Sequence, residues 1–267
     1  MIDTHCHIIS KFGYTDVDSI IKNAYMNGVN KFICIGCDFE DIEQTLNLNI
    51  LYPGIVYSAI GLHPETVKED SNIEELWFSF LNIFNNNKEN IFAIGECGLD
   101  YHYSNSEEIH NKQKLLFRKH IELCIEENKP LIIHTRDAWE DTFSILNDYN
   151  LKSKLTKHHI ISNDSAEKGF PEMDIDLTCG IVHSFTAGPE EALKCIELGF
   201  KLGINGVITF QTKTADPIRE AVLNVDLENI VLETDSPFLS PEPYRGKVNE
   251  PARIKDIAKY ILRLKGN

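Results

Sequence analysis

Short apolar runs of β-strand type alternate with longer amphipathic segments along this sequence, and the alternation limits the folds that the chain can adopt. The runs are Met1–His5, Lys31–Gly36, Ile55–Ile60, Ile91–Gly95, Pro130–His134, Gly180–His183, Phe200–Asn205 and Ile230–Asp235. Between them, segments such as 113–128 and 190–199 repeat apolar residues with the spacing of amphipathic helices. Alternating strands and helices are typical of a parallel α/β fold. Since 267 residues is close to the roughly 250 of one (β/α)₈ barrel, we predict a single TIM barrel domain.

One polar stretch interrupts the alternation. Residues 152–177 are long and irregular, and we interpret them as an insertion before the sixth strand. His158 and His159 within it are interpreted as exposed loop residues. The predicted organisation is one domain over residues 1–267 that carries this insertion.

Several of the predicted strands end in residues that bind metals. In a barrel of this type the active site lies at the C-terminal ends of the strands. The imidazoles and carboxylates found there are His5, His7, Glu96, His134, His183 and Asp235. Because alternate residues of a strand point to one face, His5 and His7 can reach the same cation. The alternative is that each histidine is a core residue with a satisfied hydrogen bond and that Glu96 belongs to a buried salt bridge.

A centre with two divalent metal ions follows from these residue types. The carboxylate of Glu96 can bridge two metals, and His134 and His183 then supply nitrogen ligands to the second. Mixed ligation suits Zn²⁺, Mn²⁺ or Fe²⁺ better than a purely oxygen-liganded Mg²⁺ site, but it leaves Zn, Mg and Mn open. Two metals about 3.5–4 Å apart would clamp the attacking and leaving oxygens of a displacement. Asp235 is the candidate general base, and Glu96 the second catalytic carboxylate.

Six motifs occur in order along nearly the whole chain. They are IDTHCH, GLHPE, GECGLDY, PLIIHTRDA, GIVHSF and LETDSPFLSPEPYRGKVNEP. Together they resemble the TatD deoxyribonucleases of the metal-dependent amidohydrolase superfamily. The resemblance implies a two-metal TIM barrel that hydrolyses DNA, often as a 3′→5′ exonuclease on single strands. It also implies that His63 faces the substrate phosphate and that the ligands are His5, His7, Glu96, His134, His183 and Asp235.

Two arginines are candidates for phosphate contacts. Arg136 could bind a phosphate oxygen through its planar guanidinium; alternatively, its segment only starts a helix, with Asp137 and Glu140 as a capping box. Arg245 follows the eighth strand, where barrels often bind phosphate, or it only leads into the last helix. One residue departs from the family pattern: Glu65 stands where a second histidine is common, and a carboxylate there would repel a phosphate unless it is turned away.

Charge and cysteine usage indicate the setting in which the chain works. The net charge of −15 argues against broad electrostatic capture of nucleic acid, although two bound cations would reverse the sign locally. The seven scattered cysteines fit a reducing compartment, and the pair Cys34 and Cys37 lacks a second pair with zinc-ligand spacing. With neither a secretory signal nor a membrane-spanning run, we expect a cytoplasmic or nuclear protein without membrane contact or an obligate protein partner.

Two other functions stay open beside a deoxyribonuclease. One is a related amidohydrolase that acts on a small amide, lactone or phosphoester. Several such barrels bridge their metals with a carboxylated lysine from the fourth strand, whereas this chain has Glu96 there. The other is a non-catalytic scaffold that binds nucleic acid without cutting it. A scaffold would have lost some ligands, and here every ligand position is filled.

Overall fold

Eight parallel strands form the centre of the molecule in the computed structural model, which describes residues 1–161 and 174–266. The described residues contain ten strands in all, which are in chain order β1 (Ile2–Cys6), β2 (Lys31–Gly36), β3 (Val56–Ile60), β4 (Ile91–Asp100), β5 (Leu131–Arg136), β6 (His159–Ile161), β7 (Asp174–Asp176), β8 (Gly180–Val182), β9 (Lys201–Ile204) and β10 (Ile230–Leu232). All except β6 and β7 belong to one parallel sheet in the order β1-β2-β3-β4-β5-β8-β9-β10. The predicted TIM barrel is confirmed.

The two ends of this sheet meet through the segment that follows β10. The amide of Asp235 donates a hydrogen bond of 2.9 Å to the carbonyl of His5. Asp3 is buried at the same junction, where its Oδ1 accepts a hydrogen bond of 2.9 Å from the amide of Thr234. These bonds hold His5 and His7 of the first strand segment beside Asp235.

Helices surround the sheet. Those in the described residues are α1 (Val17–Met26), α2 (Phe39–Leu51), α3 (Ile73–Asn87), α4 (Glu107–Glu127), α5 (Trp139–Tyr149), α6 (Leu151–Lys154), α7 (Pro189–Glu197), α8 (Asp216–Asn224) and α9 (Ile254–Leu264). Asp16, Asp38 and Asn72 cap α1, α2 and α3 by accepting hydrogen bonds from first-turn amides. Their apolar faces contribute to the hydrophobic core, in which Phe80 of α3 and Phe117 of α4 are fully buried. No helix in the described ranges is long and apolar enough to cross a membrane.

The segment predicted as an irregular insertion has regular structure at both of its ends. It begins within α6, and β6 and β7 then pair antiparallel as a separate two-stranded sheet. The prediction of irregular structure was therefore wrong for these parts, because two strands that pair only with each other carry little sequence signal. His159 lies in β6 rather than in a loop, with its side chain exposed as predicted, whereas the side chain of His158 is half-buried and not exposed. Residues 162–173 lie outside the described residues.

Candidate metal centre

A cavity of about 840 Å³ opens at the end of the barrel where the parallel strands finish. This is the end at which barrel enzymes place their active sites. Five of the six predicted ligands line it, namely His7, Glu96, His134, His183 and Asp235. The sixth, His5, is fully buried and stacks on the ring of His183 with 3.4 Å between the ring centroids. The structure thus brings all six residues together.

His5 and His7 lie side by side because one residue separates them at the end of β1. The strand has one extra residue relative to β2 between Asp3 and Cys6, and such bulges redirect side chains next to active sites. The Nε2 atoms of His5 and His7 lie 3.8 and 3.5 Å from Oδ1 of Asp235. Three potential ligands from opposite ends of the chain therefore share one corner of the cavity.

Glu96 projects from a second bulge. The register of β4 against β5 shifts between Gly95 and Cys97, so that Glu96 is the extra residue. Gly95 has a φ of 126°, and a Cβ at this position would lie 2.2 Å from the carbonyl oxygen of Ile132. Only glycine permits so close an approach. Past this point β4 keeps pairing with β5 as far as Asp100, five residues beyond its predicted end at Gly95.

The two oxygens of Glu96 face different groups of side chains. Oε2 lies 3.3 Å from Nε2 of His5 and 3.4 Å from Sγ of Cys37. Oε1 lies 2.9 Å from Nδ1 of His134 and 3.7 Å from Nε2 of His183. A carboxylate in this position has the geometry of a bridge between two cations.

Two carboxylates that the sequence analysis missed contact the outer nitrogens of these histidines. Nε2 of His134 lies 3.0 Å from Oδ2 of Asp100. Nδ1 of His183 lies 3.0 Å from Oε1 of the fully buried Glu233. Such contacts orient metal-binding imidazoles. The signal available was their spacing, since Asp100 ends the GECGLD motif and Glu233 precedes Asp235 by two residues.

His63 lies at the edge of this cluster. Its Nε2 is 3.6 Å from Oε1 of Glu96, and its Nδ1 accepts a hydrogen bond of 3.1 Å from the amide of Glu65. Burial lowers the pKa of His63 to about 3, and the neighbouring His134 adds to this effect. The neutral ring therefore carries its proton on Nε2, on the side of the cavity.

The carboxylates of the cluster attract positive charge. Burial alone would raise the pKa of Glu96, but the imidazoles of His183, His5 and His63 hold it well below its usual range. Burial opposes protonation of His134, yet its contacts with Asp100 and Glu96 raise its pKa to about 9. In the same way, the charges of Glu233 and Glu96 outweigh burial and raise the pKa of His183 to about 10. Protons or metal cations can supply the positive charge that these carboxylates attract.

Only one of the two predicted phosphate-binding arginines lines the cavity. Arg136 does, and it donates a hydrogen bond of 3.0 Å to the hydroxyl of Tyr103. Arg245 lies over the ring of Phe210 at 4.3 Å, in an adjoining groove of about 500 Å³ that shares Phe238 with the cavity.

The predicted capping box beside Arg136 was wrong. The N-cap of α5 is Ala138, which makes no side-chain cap. Asp137 instead lies 3.0 Å from Nδ1 of His102, in a left-handed conformation with a φ of 54°. A residue in that conformation does not serve as an N-cap, which takes extended backbone angles.

The donor atoms fit divalent metals. Both ring nitrogens of His5 and Nδ1 of His7 are buried and form no hydrogen bond with described residues. Leaving such groups unsatisfied costs about 1–3 kcal/mol each, and ligation of a cation would remove the cost for a nitrogen that binds it. Imidazole and carboxylate donors together suit Zn²⁺ and Mn²⁺.

Comparison with known proteins identifies the family. The chain matches the family described as "TatD related DNase" over residues 2–267. It is 33% identical over 265 residues to "Uncharacterized metal-dependent hydrolase YabD" of Bacillus subtilis, with 99% of this chain and 91% of that relative covered. The chain belongs to the TatD-related DNase family. It is thus a member of a family of metal-dependent hydrolases.

The chain is also similar to two further proteins, one in fold and one in sequence. The crystal structure of YjjV, a TatD homologue from Escherichia coli, superposes with a TM-score of 0.80 at 24% identity and covers 99% of this chain and 90% of that chain. A Danio rerio relative named "Putative deoxyribonuclease tatdn3" is 27% identical over 271 residues, with 99% of this chain and 90% of the relative covered.

Proposed function

We propose that this TatD-family hydrolase is a deoxyribonuclease that hydrolyses phosphodiester bonds, acts on single-stranded DNA and removes nucleotides from the 3′ end. The observation that carries the proposal is the position of Glu96, whose oxygens face two groups of potential ligands on the floor of the cavity. A two-cation centre suits the displacement of an alkoxide from phosphorus. The name of the family and that of the Danio rerio relative support DNA as the substrate.

Six residues would hold two divalent ions. One ion would lie between His5, His7 and Asp235, and the other beside His134 and His183, with Glu96 between them. When bound, such ions polarise a phosphoryl oxygen and offset the charge that develops in the transition state. Zn²⁺, Mn²⁺ and Mg²⁺ are the candidates.

Asp235 is proposed as the general base. Burial alone would raise its pKa, but the contact with His7 and the charges of His183 and His5 lower it below the usual value. The carboxylate is therefore ionised at neutral pH, and its side chain lines the cavity. An ionised acceptor next to the phosphodiester can take a proton from the attacking water.

His63 is proposed to contact the phosphate and not a metal. Because Nδ1 accepts the amide proton of Glu65, Nε2 of the neutral ring is a donor. A donor stabilises a phosphate oxygen, whereas a metal ligand needs a free lone pair. Nε2 lies at the cavity edge, 3.6 Å from Glu96, where a phosphate bound above the carboxylate would be in reach.

Exposed aromatic rings at the mouth of the cavity favour a single strand. Tyr103 is 66% exposed and Phe238 is 47% exposed, and both line the cavity. The guanidinium of Arg136 lies over the Tyr103 ring at 5.1 Å. Unpaired bases stack on such rings at a gain of about 1–3 kcal/mol per base, while bases in a duplex are already stacked. The groove that holds Arg245 would receive the rest of the strand.

The test is cleavage of labelled single-stranded DNA by the whole chain. Metal-stripped protein is incubated with 5′-labelled and 3′-labelled strands while Mg²⁺, Mn²⁺ or Zn²⁺ is added back separately, and Asp235→Ala is the control for a contaminating nuclease. We expect a metal-dependent ladder that shortens from the 3′ end and is absent in the variant.

Parallel assays separate the alternatives. Turnover of an aryl phosphotriester or a lactone, with DNA left intact under every metal, would replace the nuclease with a small-substrate hydrolase. DNA that is bound but never cut by folded, metal-loaded protein would indicate a scaffold.

A further inference from the structure

Cys37 lies in the candidate metal centre, although it was not among the predicted ligands. It follows β2 directly, is half-buried and lines the cavity. Its Sγ lies 3.4 Å from Oε2 of Glu96. A ring nitrogen of His7, Sγ of Cys37 and a carboxylate oxygen of Glu96 all lie within 4.8 Å of one another.

Neighbouring atoms point independently to a ligand at this corner. His5 and His7 are 0% and 4% exposed, and three of their four ring nitrogens form no hydrogen bond with described residues. Nε2 of His5 lies 3.3 Å from the same Oε2 that faces Cys37. Nε2 of His5 and Sγ of Cys37 therefore both face Oε2 of Glu96. The buried ring nitrogens of His5 and His7 beside them have lone pairs or protons that no described residue uses.

We propose that Sγ of Cys37 is a further ligand of the metal ion held by His5, His7 and Asp235. With Zn–S and Zn–O bonds of about 2.3 and 2.1 Å, sulfur and oxygen ligands of one ion stand roughly 3.1–3.8 Å apart for bond angles of about 90–120°, and the observed 3.4 Å falls in this range. The thiol proton is released to solvent as the sulfur binds the cation. The inference rests on the proposed metal centre and is independent of DNA being the substrate.

The nearby Cys34 has a different position. It is buried, and its Sγ faces Thr45 of α2 at 3.8 Å. Cys34 and Cys37 therefore do not act as a pair, and all seven cysteines are free thiols. Because sulfur is a soft donor, ligation by Cys37 favours Zn²⁺ over Mg²⁺ at this position.

Cobalt provides a spectroscopic test on the whole chain. Metal-stripped wild type, Cys37→Ser, Cys37→Ala and the matched control Cys34→Ala are loaded with Co²⁺, after circular dichroism has verified folding. We expect a sulfur-to-cobalt charge-transfer band in the near ultraviolet for wild type and Cys34→Ala. The band is lost in both Cys37 variants, while the visible bands of cobalt bound by nitrogen and oxygen remain. Chelator competition should show Zn²⁺ affinity lowered on the order of 10–100-fold in the Cys37 variants, with Mg²⁺ affinity less affected.

The outcomes separate this inference from the metal centre itself. Wild type that shows visible cobalt bands without a charge-transfer band overturns the inference and leaves the centre in place, with Cys37 then only a hydrogen-bond donor to Glu96. A charge-transfer band that persists in Cys37→Ser also overturns it. Wild type that binds no cobalt, Zn²⁺ or Mn²⁺ overturns both.

Discussion

At the scale of single residues, a carboxylate at the edge of the cavity affects how a charged substrate can approach. Glu65 is exposed and lines the cavity, and its backbone amide is bound to His63. Its carboxylate therefore lies near the proposed phosphate position. A negative charge there repels DNA, and dissolved salt weakens this repulsion.

Replacing this carboxylate should improve substrate binding. For Glu65→Gln we expect the KM for single-stranded DNA to fall about two- to five-fold at low salt, with kcat unchanged and the difference reduced at high salt. Glu89→Gln, which removes the same charge before β4 at the opposite end of the barrel, is the control. An equal fall in KM for both variants would show that net charge, and not position, is responsible.

At the scale of elements, the extension of β4 positions a histidine of the neighbouring strand. Because the strand continues past Glu96, Asp100 at its end reaches Nε2 of His134 on β5. Asp100 is therefore a positioning residue that acts through His134.

Removing the charge of Asp100 should weaken metal binding. We expect Asp100→Asn to lower metal affinity on the order of 10–100-fold, and excess metal should restore most of kcat. Asp148→Asn, at an exposed acid of α5 paired with Arg118, should leave both unchanged. Affinity is measured by chelator competition. Wild-type affinity in Asp100→Asn would contradict the positioning role.

Helix α4 is joined to the end of β3 by a buried histidine. Nε2 of His120 accepts a hydrogen bond of 3.0 Å from the amide of Leu62, and burial lowers its pKa from 6.5 to about 4. As pH falls through about 6.5, His120 of the unfolded chain binds a proton and His120 of the folded chain does not, so the free energy of unfolding decreases. The stability that the neutral, buried His120 contributes is fully present above pH 6.5 and is lost as the pH falls to about 4.

This loss of stability at low pH can be measured by comparison with a variant in which residue 120 does not titrate. Between pH 7 and pH 5 proton binding by His120 of the unfolded chain should lower the free energy of unfolding by about 2 kcal/mol. The difference in free energy of unfolding between wild type and His120→Gln, from urea titrations, should therefore shrink by about that amount. A difference that stays constant with pH would show that His120 does not titrate with this shift.

At the scale of the whole molecule, the barrel and the meeting of its strand ends could be predicted from sequence. Eight apolar runs and the residues that end them are local features, and parallel strands bring their C-terminal ends to one rim. The bulge at Glu96 could not be predicted, because it depends on pairing with β5. The roles of Asp100 and Cys37 were missed because they also depend on contacts between strands. Asp100 belongs to the GECGLD motif, but its contact with His134 depends on the pairing of β4 with β5, and Cys37 reaches Glu96 only through the packing of strands.

With a net charge of −15, the chain would attract DNA mainly through the cations of the proposed centre, so we expect binding between successive cuts to be weak. We therefore expect two cations, bridged by Glu96, to perform the cleavage.

The most direct test is to measure metal content and single-stranded DNA cleavage in the same samples of wild type and Glu96→Gln. Metal-stripped chains are reloaded stepwise, and bound metal per chain is determined by elemental analysis. We predict two equivalents in wild type, with cleavage that appears as the second is bound. In Glu96→Gln, with the fold verified, we predict fewer equivalents and a rate lowered on the order of 100-fold or more. Wild-type cleavage with at most one equivalent of metal bound, or undiminished cleavage by Glu96→Gln, would contradict a mechanism in which two cations bridged by Glu96 perform the cleavage.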